Sequence, residues 1–271
     1  MNSFVLRENA SDLALISETA PRNRLLQSLS HRQFERIKPL LQRVPLIPRR
    51  VLQHSWVPIE HVYFIEDGLV SVLATADEKN SVEVWLIGRE GVVGSPVVLG
   101  LSTTPLRHLV QVGGSALKIG ADDLGRVAAE MPSLRALLLN YLHVALLQSS
   151  QSAACSLSHP FRQRLARWLL TAQDRSDRDE FPITQDLLAR ILGVRRATAS
   201  EAIKSLVGRG VLARVRGLIR IRDRARLEQI SCRCYQITRL ELDKPERSKT
   251  GRVFFALPIL CGLLEIELLA Q

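Results

Sequence analysis

Residues 184–209, TQDLLARILGVRRATASEAIKSLVGR, constrain this chain most. Two short helices are expected, Gln185 to Leu192 and Arg196 to Gly208. Gly193 breaks them, because a residue without a Cβ can take the positive φ of a sharp turn. Leu188, Leu192, Val194, Ala199, Ala202, Ile203 and Leu206 recur at helical spacing and face inward, and Ala189 is small where two helices must cross. That register is the one used by a helix-turn-helix, whose second helix enters the DNA major groove. The outward face of the second helix carries Arg195, Arg196, Thr198, Ser200, Glu201 and Lys204, all able to hydrogen-bond. A helical hairpin with a merely solvated charged face is the alternative. The strand pair that follows favours the first reading: residues 211–215 and 218–221 alternate around Arg216-Gly217, as the wing of a winged helix does, with Arg214 and Arg216 placed to touch phosphates.

Charge supports this placement. The formal net charge is +10, and residues 1–130 balance to zero, so the whole surplus lies in the second half. Between Thr184 and Arg226 eleven basic residues face three acidic ones. A field of that sign concentrates near polyanions and implies salt-dependent binding to DNA, although charge alone also suits a membrane surface. The four cysteines, Cys155, Cys232, Cys234 and Cys261, show no zinc spacing, since one Cys-x-Cys pair without further paired ligands is too little. No metal site and no cofactor is expected. The start of the chain has no apolar stretch behind a basic one, so a cytoplasmic protein with reduced thiols is expected.

The remainder reads as an α+β chain. Short helices are expected at Ser11 to Leu15 and Arg22 to Leu29, and a capped helix from Ser30, with Gln33 three residues on, ending before Pro39 or by Val44. Between Val44 and Ile119 short apolar runs are separated by Gly, Pro, Asp and Asn. Strands are expected at 51–52, 62–65, 69–73, 82–87, 109–112 and 116–119, with hairpin turns at Glu66-Asp67-Gly68 and at 77–80. Without helical crossovers these form an antiparallel sandwich or barrel. A short helix at 121–130 is closed by Met131-Pro132. A long helix from about Ser133 to Leu157 follows, with Leu134, Leu138, Tyr141 and Ala145 as its apolar stripe and Leu137, Leu142 and Leu146 widening it. Such a face can serve both the barrel and a partner helix. A helix from Arg162 to Ala172, a charged loop at 174–180, and a last small helix at 224–231 complete the outline.

A β-rich barrel, a long helix and a winged helix-turn-helix, in that order, resemble the Crp/Fnr family of bacterial transcription regulators. The resemblance covers about residues 25–235 and rests on VYFIEDG at 62–68, VWLIGREGVVG at 84–94 and the 185–206 region. It implies an antiparallel, cyclic-nucleotide-binding-like β-roll, a homodimer through the helix at about 133–157, and promoter DNA, RNA polymerase and a small-molecule effector as partners. The chain then divides into an effector domain at 1–130, a dimerisation helix at 131–159, a DNA-binding domain at 160–235 and an atypical extension at 236–271. Family members that bind cyclic AMP place a Gly-Glu pair before a short helix and an Arg-Ser or Arg-Thr pair after it. Here Gly94 is followed by Ser95, and Arg107 by His108, so one anchor of three survives. Cyclic AMP is therefore not expected, and the effector positions are Ser95, Arg107 and His108 for an unknown ligand. Oxygen-sensing members hold an iron–sulfur cluster on N-terminal cysteines, but the first cysteine here is Cys155, so that cluster is not expected either. In the recognition helix the family's Arg-Glu-Thr and the arginine that follows correspond to Arg196, Ala197, Thr198 and, in place of the second arginine, Glu201. Arg196 can still bind guanine in bidentate fashion and Thr198 a phosphate, while the altered pair implies a different target sequence.

Residues 236–271 extend past the family's usual end. The charged part, 239–252, is expected to be disordered. The apolar part, 253–270, approaches a membrane span in length, but Pro258, Gly262, Glu265 and Glu267 argue for a helix packed on protein. Two other readings of the whole chain remain. One is a constitutive DNA binder with a vestigial barrel. The other is a barrel enzyme, for which no His-x-His pair, Gly-x-Ser-x-Gly elbow or phosphate loop is present.

Overall fold

The computed structural model describes residues 20–77, 80–215 and 217–242. The expected helix at 11–15, Arg216, Cys261 and the apolar tail lie outside the described residues. In chain order the elements are α1 (Arg24–Gln27), α2 (His31–Ile37), β1 (Gln42–Leu46), β2 (Val51–Gln53), β3 (His61–Asp77), β4 (Asn80–Ile87), β5 (Val92–Val93) and β6 (Arg107–Gly120). There follow α3 (Ala121–Glu130), α4 (Pro132–Ser158), α5 (Phe161–Ser176), β7 (Glu180–Phe181), α6 (Gln185–Ile191), α7 (Arg196–Gly208), β8 (Leu212–Val215), β9 (Leu218–Ile221), α8 (Arg224–Ile230) and α9 (Cys234–Leu242).

Six strands form one antiparallel sheet in the order β1-β6-β3-β4, with β2 on β6 and β5 on β3. The expected hairpin turn at Glu66-Asp67-Gly68 is not a turn: β3 runs through it for 17 residues. The register with β6 shifts on either side of Asp67 and Leu69, so the segment is a bulge that bends one strand around the roll. Gly68 has φ 91°, and a Cβ there would lie 2.5 Å from the Val112 carbonyl oxygen. Glu66-Asp67-Gly68 carries a turn signature, yet the chain only bends there. Likewise 109–112 and 116–119 belong to one strand, β6. Strand β1 was missed because Pro45 sits in it; Pro is tolerated there because β1 pairs on one side only, with β6.

The bulge keeps three apolar clusters in register. Ile65, Val70 and Val72 of β3 face the roll interior with Ile87, Val93 and Val110. Val62 and Phe64 face the helices, packing with Leu26, Leu124, Leu134 and Leu138. Leu69 and Leu73, with Leu86 and Val112, join the core of the C-terminal domain, which contains Leu165, Leu169, Leu188, Ile203 and Leu206. The barrel and the C-terminal domain therefore share one apolar core. Helix α2 begins as expected: Ser30 Oγ accepts from the Gln33 amide and the Gln33 side chain accepts from the Ser30 amide.

Helix α4 spends its expected stripe on the body of the protein: Leu134, Leu137, Leu138, Tyr141 and Ala145 are buried. Leu146 does not widen that stripe, because it is 65% exposed on another face. That face carries Leu139, His143, Leu146, Ser150, Ala153 and Leu157, all exposed, at 4,3,4,3,4 spacing. Helix α8 is not the last helix: α9 follows, and its end includes Arg239 to Leu242, which were expected to be disordered. Buried Tyr235 and Thr238 hold α9 on the domain, which the charge of the segment hides.

Candidate nucleic-acid interface

Thr184 caps α6 by accepting from the Leu187 amide through Oγ1. Gly193 turns the chain at φ 64°, and the Val194 amide donates to the Ala189 carbonyl at 2.8 Å. Leu188, Leu192, Ala199, Ile203 and Leu206 are buried, and Val194 and Ala202 pack partly buried against the same core. Every apolar position of the expected register is thus used inward, in whole or in part. Five of the six polar positions of α7 and its cap, Arg195, Arg196, Thr198, Glu201 and Lys204, are exposed; Ser200 is half-buried.

Arg196 Nε lies 3.0 Å from Asp186 Oδ1, both side chains being largely exposed. An ion pair in water contributes little, so it orients the guanidinium without locking it. The wing is a three-stranded sheet, β7-β9-β8, and β7 at Glu180–Phe181 ties it to the segment entering α6. Arg214 is exposed on β8. Arg196 and Arg214 line one groove of about 210 Å³ between helix pair and wing, with Asp186 and Thr184. The unit thus presents guanidinium groups from two separate elements along one groove, an arrangement suited to phosphate and base edges together.

The domain is docked on the roll by polar as well as apolar contacts. Arg175, itself buried, pairs with buried Glu90 at 3.2 Å and donates to Gln148 Oε1 at 2.7 Å. Arg89 pairs with Asp177, and Arg178 with Asp67. Trp168 Nε1 donates to Glu83 Oε1 at 2.6 Å, and Ser71 donates to the other oxygen of that carboxyl. Burial pushes the Glu83 carboxyl up to about 7 against the hydrogen bonds that lower it.

The effector positions lie elsewhere. Ser95, buried, opens a 3-10 turn at Ser95–Leu99, and Arg107 and His108 open β6. Arg107 Nε and His108 Nδ1 are buried without a hydrogen-bond partner. Burial lowers the His108 imidazole to about 4, so it is neutral near pH 7. Among the described residues no helix is long and apolar enough to cross a membrane.

Residues 163–230 match the family model of the Crp-like helix-turn-helix domain. No curated protein matches the sequence. Among solved structures, a putative Crp/Fnr-family regulator from Eubacterium rectale aligns with TM-score 0.60 at 14% identity, over 76% of this chain and 97% of that one. FixK2 from Bradyrhizobium japonicum aligns with TM-score 0.60 at 16% identity, over 71% and 98%. CLP, described as a c-di-GMP-responsive global regulator of Xanthomonas campestris, aligns with TM-score 0.59 at 17% identity, over 71% and 99%.

Proposed function

We infer that this chain, a Crp-like helix-turn-helix domain carried on the Crp/Fnr fold, is a regulator of transcription that binds DNA in a sequence-specific way. The observation that carries this is the sorting of α7: Ala199, Ile203 and Leu206 are buried, while Arg195, Arg196, Thr198, Glu201 and Lys204 face solvent beside the wing. Arg196 reads a base pair, Thr198 and Lys204 hold phosphates, Glu201 accepts from cytosine, and Arg195, Ser200, Arg214 and Arg216 add contacts around them.

The regulator acts as a homodimer. The exposed Leu139–Leu146–Leu157 face of α4, at 37%, 65% and 91% exposure, supports this, since its heptad spacing is that of a two-helix seam. Two copies then present two recognition helices to half-sites about one DNA turn apart. RNA polymerase is its partner at the promoter. The roll binds a small effector near Ser95, Arg107 and His108; the two unpartnered buried nitrogens support a polar ligand there. A constitutive binder with an inert roll is the second reading. Selecting bound duplexes from a random library at fixed salt tests the proposal. A two-fold symmetric consensus is expected, and a pool without consensus would remove it.

A further inference from the structure

Three of the four cysteines meet in one place. Cys155 lies in the last turn of α4 and His159 caps its end, the His159 amide donating to the Cys155 carbonyl at 3.1 Å. Cys232 and Cys234, the latter opening α9, flank exposed Arg233, and both thiols point inward. Cys155, Cys232 and Cys234 are 0%, 5% and 3% exposed and form a cluster of their own. Cys155 Sγ lies 3.4 Å from Cys232 Sγ, and Cys234 Sγ lies 3.6 Å from His159 Nδ1. All four donor atoms fall within 4.8 Å of one another.

We propose that Cys155, His159, Cys232 and Cys234 hold a single zinc ion, which clamps the end of the long helix to the α8–α9 junction. Scale selects one ion. With Zn–S of about 2.3 Å and Zn–N of about 2.0 Å, the edges of a tetrahedron come to roughly 3.5–3.8 Å. The Cys234–His159 distance matches a sulfur–nitrogen edge, and the Cys155–Cys232 distance is about 0.4 Å short of a sulfur–sulfur edge. Ligands of an iron–sulfur cluster are shared out over two or more irons, so a set of four spreads further apart. Hard cations take oxygen donors, whereas this set is three sulfurs and a nitrogen.

The surroundings suit the charge. Three thiolates and one divalent ion leave a net charge of −1. Arg164 and Arg167 act electrostatically on these thiols, and Gln151 Nε2 donates to Cys234 Sγ at 3.0 Å. Those groups are the outer shell that fixes ligands in structural sites. Along the chain only Cys-x-Cys is visible. Folding brings the other two donors from the last turn and the cap of α4, 77 residues from Cys232 in the case of Cys155 and 75 from Cys234 in the case of His159.

The clamp spans Pro160, where α4 gives way to α5 and the helix-turn-helix domain. Metal binding therefore fixes the angle at which that domain leaves the long helix. Its influence on DNA affinity rests on the function proposed above; the metal site does not.

The test uses the full chain, purified without a chelating tag under reducing conditions. Elemental analysis is expected to find one zinc per chain. Cobalt exchanged into the site is expected to give the visible bands of a tetrahedral ion with thiolate charge transfer. Cys261→Ser, which leaves all four proposed ligands in place, keeps the zinc. Cys234→Ser and His159→Ala lower zinc affinity at least tenfold, and His159→Cys, which restores a fourth soft ligand, retains it. Far-UV circular dichroism confirms that each variant is folded. Zinc below a tenth of an equivalent with no cobalt spectrum would overturn the proposal. So would stoichiometric iron with acid-labile sulfide, or a Cys155–Cys232 disulfide in place of metal. Full zinc occupancy with no DNA binding would leave the site standing and sink only its link to DNA.

Discussion

The helix-turn-helix domain and the β-roll treat their polar side chains in opposite ways. In the former, Arg195, Arg196, Glu201 and Lys204 stand in water around an apolar core of Leu188, Ala199, Ile203 and Leu206. In the latter, His108, Gln111 and Ser71 are buried in the sheet and Glu83 is half-buried, and His108 Nδ1 and Gln111 Nε2 lack hydrogen-bond partners. A surface of exposed cations suits a large external polyanion, whose phosphates supply the missing charge. Buried polar groups cost free energy unless paired; Ser71 and Trp168 pair with Glu83, whereas His108 and Gln111 each keep one unpaired nitrogen. The two regions are also joined, because Leu69, Leu73 and Leu86 share a core with Leu165 and Leu169. A signal received in one has a packed route to the other.

The largest effect is expected where the comparison is weakest, in that shared core. Leu169, fully buried, touches the cluster that joins both regions. Leu169→Ala is expected to cost about 2–5 kcal/mol and to loosen both together. Separate unfolding transitions, seen by denaturation followed through tryptophan fluorescence, would show that the two are independent. Next comes Leu146→Glu on the exposed seam of α4. It is expected to give a monomer by sedimentation and to abolish tight binding to paired half-sites, leaving weak binding to a single half-site.

Glu83 sharpens the contrast through pH. Its carboxyl stays protonated in the folded chain up to about 7, while the unfolded chain ionises near the ordinary 4.5. The unfolded state then binds fewer protons, so folding loses stability as pH rises from 4.5 to about 7. Glu83→Gln, which can still accept from Trp168 Nε1, is expected to gain up to about 3 kcal/mol at pH 8 and little at pH 4. Equal gains at both values, measured by urea denaturation, would show that ionisation is not the cause. Arg196→Ala is expected to weaken specific binding by about 1–3 kcal/mol and to relax selectivity at one base pair, by gel-shift titration. The smallest change is expected from Lys204→Ala. Affinity falls uniformly across sequences, and the slope of log K against log salt drops by about 1.

The two regions also differed in how legible they were. The helix-turn-helix could be read from residues 184–209 because its geometry is local: Leu188 to Leu206 fix one face and Gly193 fixes the turn. Both wing strands and the Ser30 cap followed for the same reason. The roll was legible as short strands but not as a path, because Gly68 carries a turn signature and serves as a bulge within β3. Leu146 was assigned to the wrong face of α4, since a helix apolar on two faces gives no single stripe. Helix α9 was hidden by its charges, and the Cys155–His159–Cys232–Cys234 cluster by the distance between its two halves.

Competition binding in one salt decides most directly whether the α7 face reads sequence. Unlabelled duplex of the selected symmetric site and unlabelled bulk DNA are each titrated against the labelled site at physiological ionic strength. A preference of about a thousandfold or more for the selected site is predicted, as for specific regulators. Equal competition by the two duplexes would contradict it and leave only a basic surface that holds DNA of any sequence.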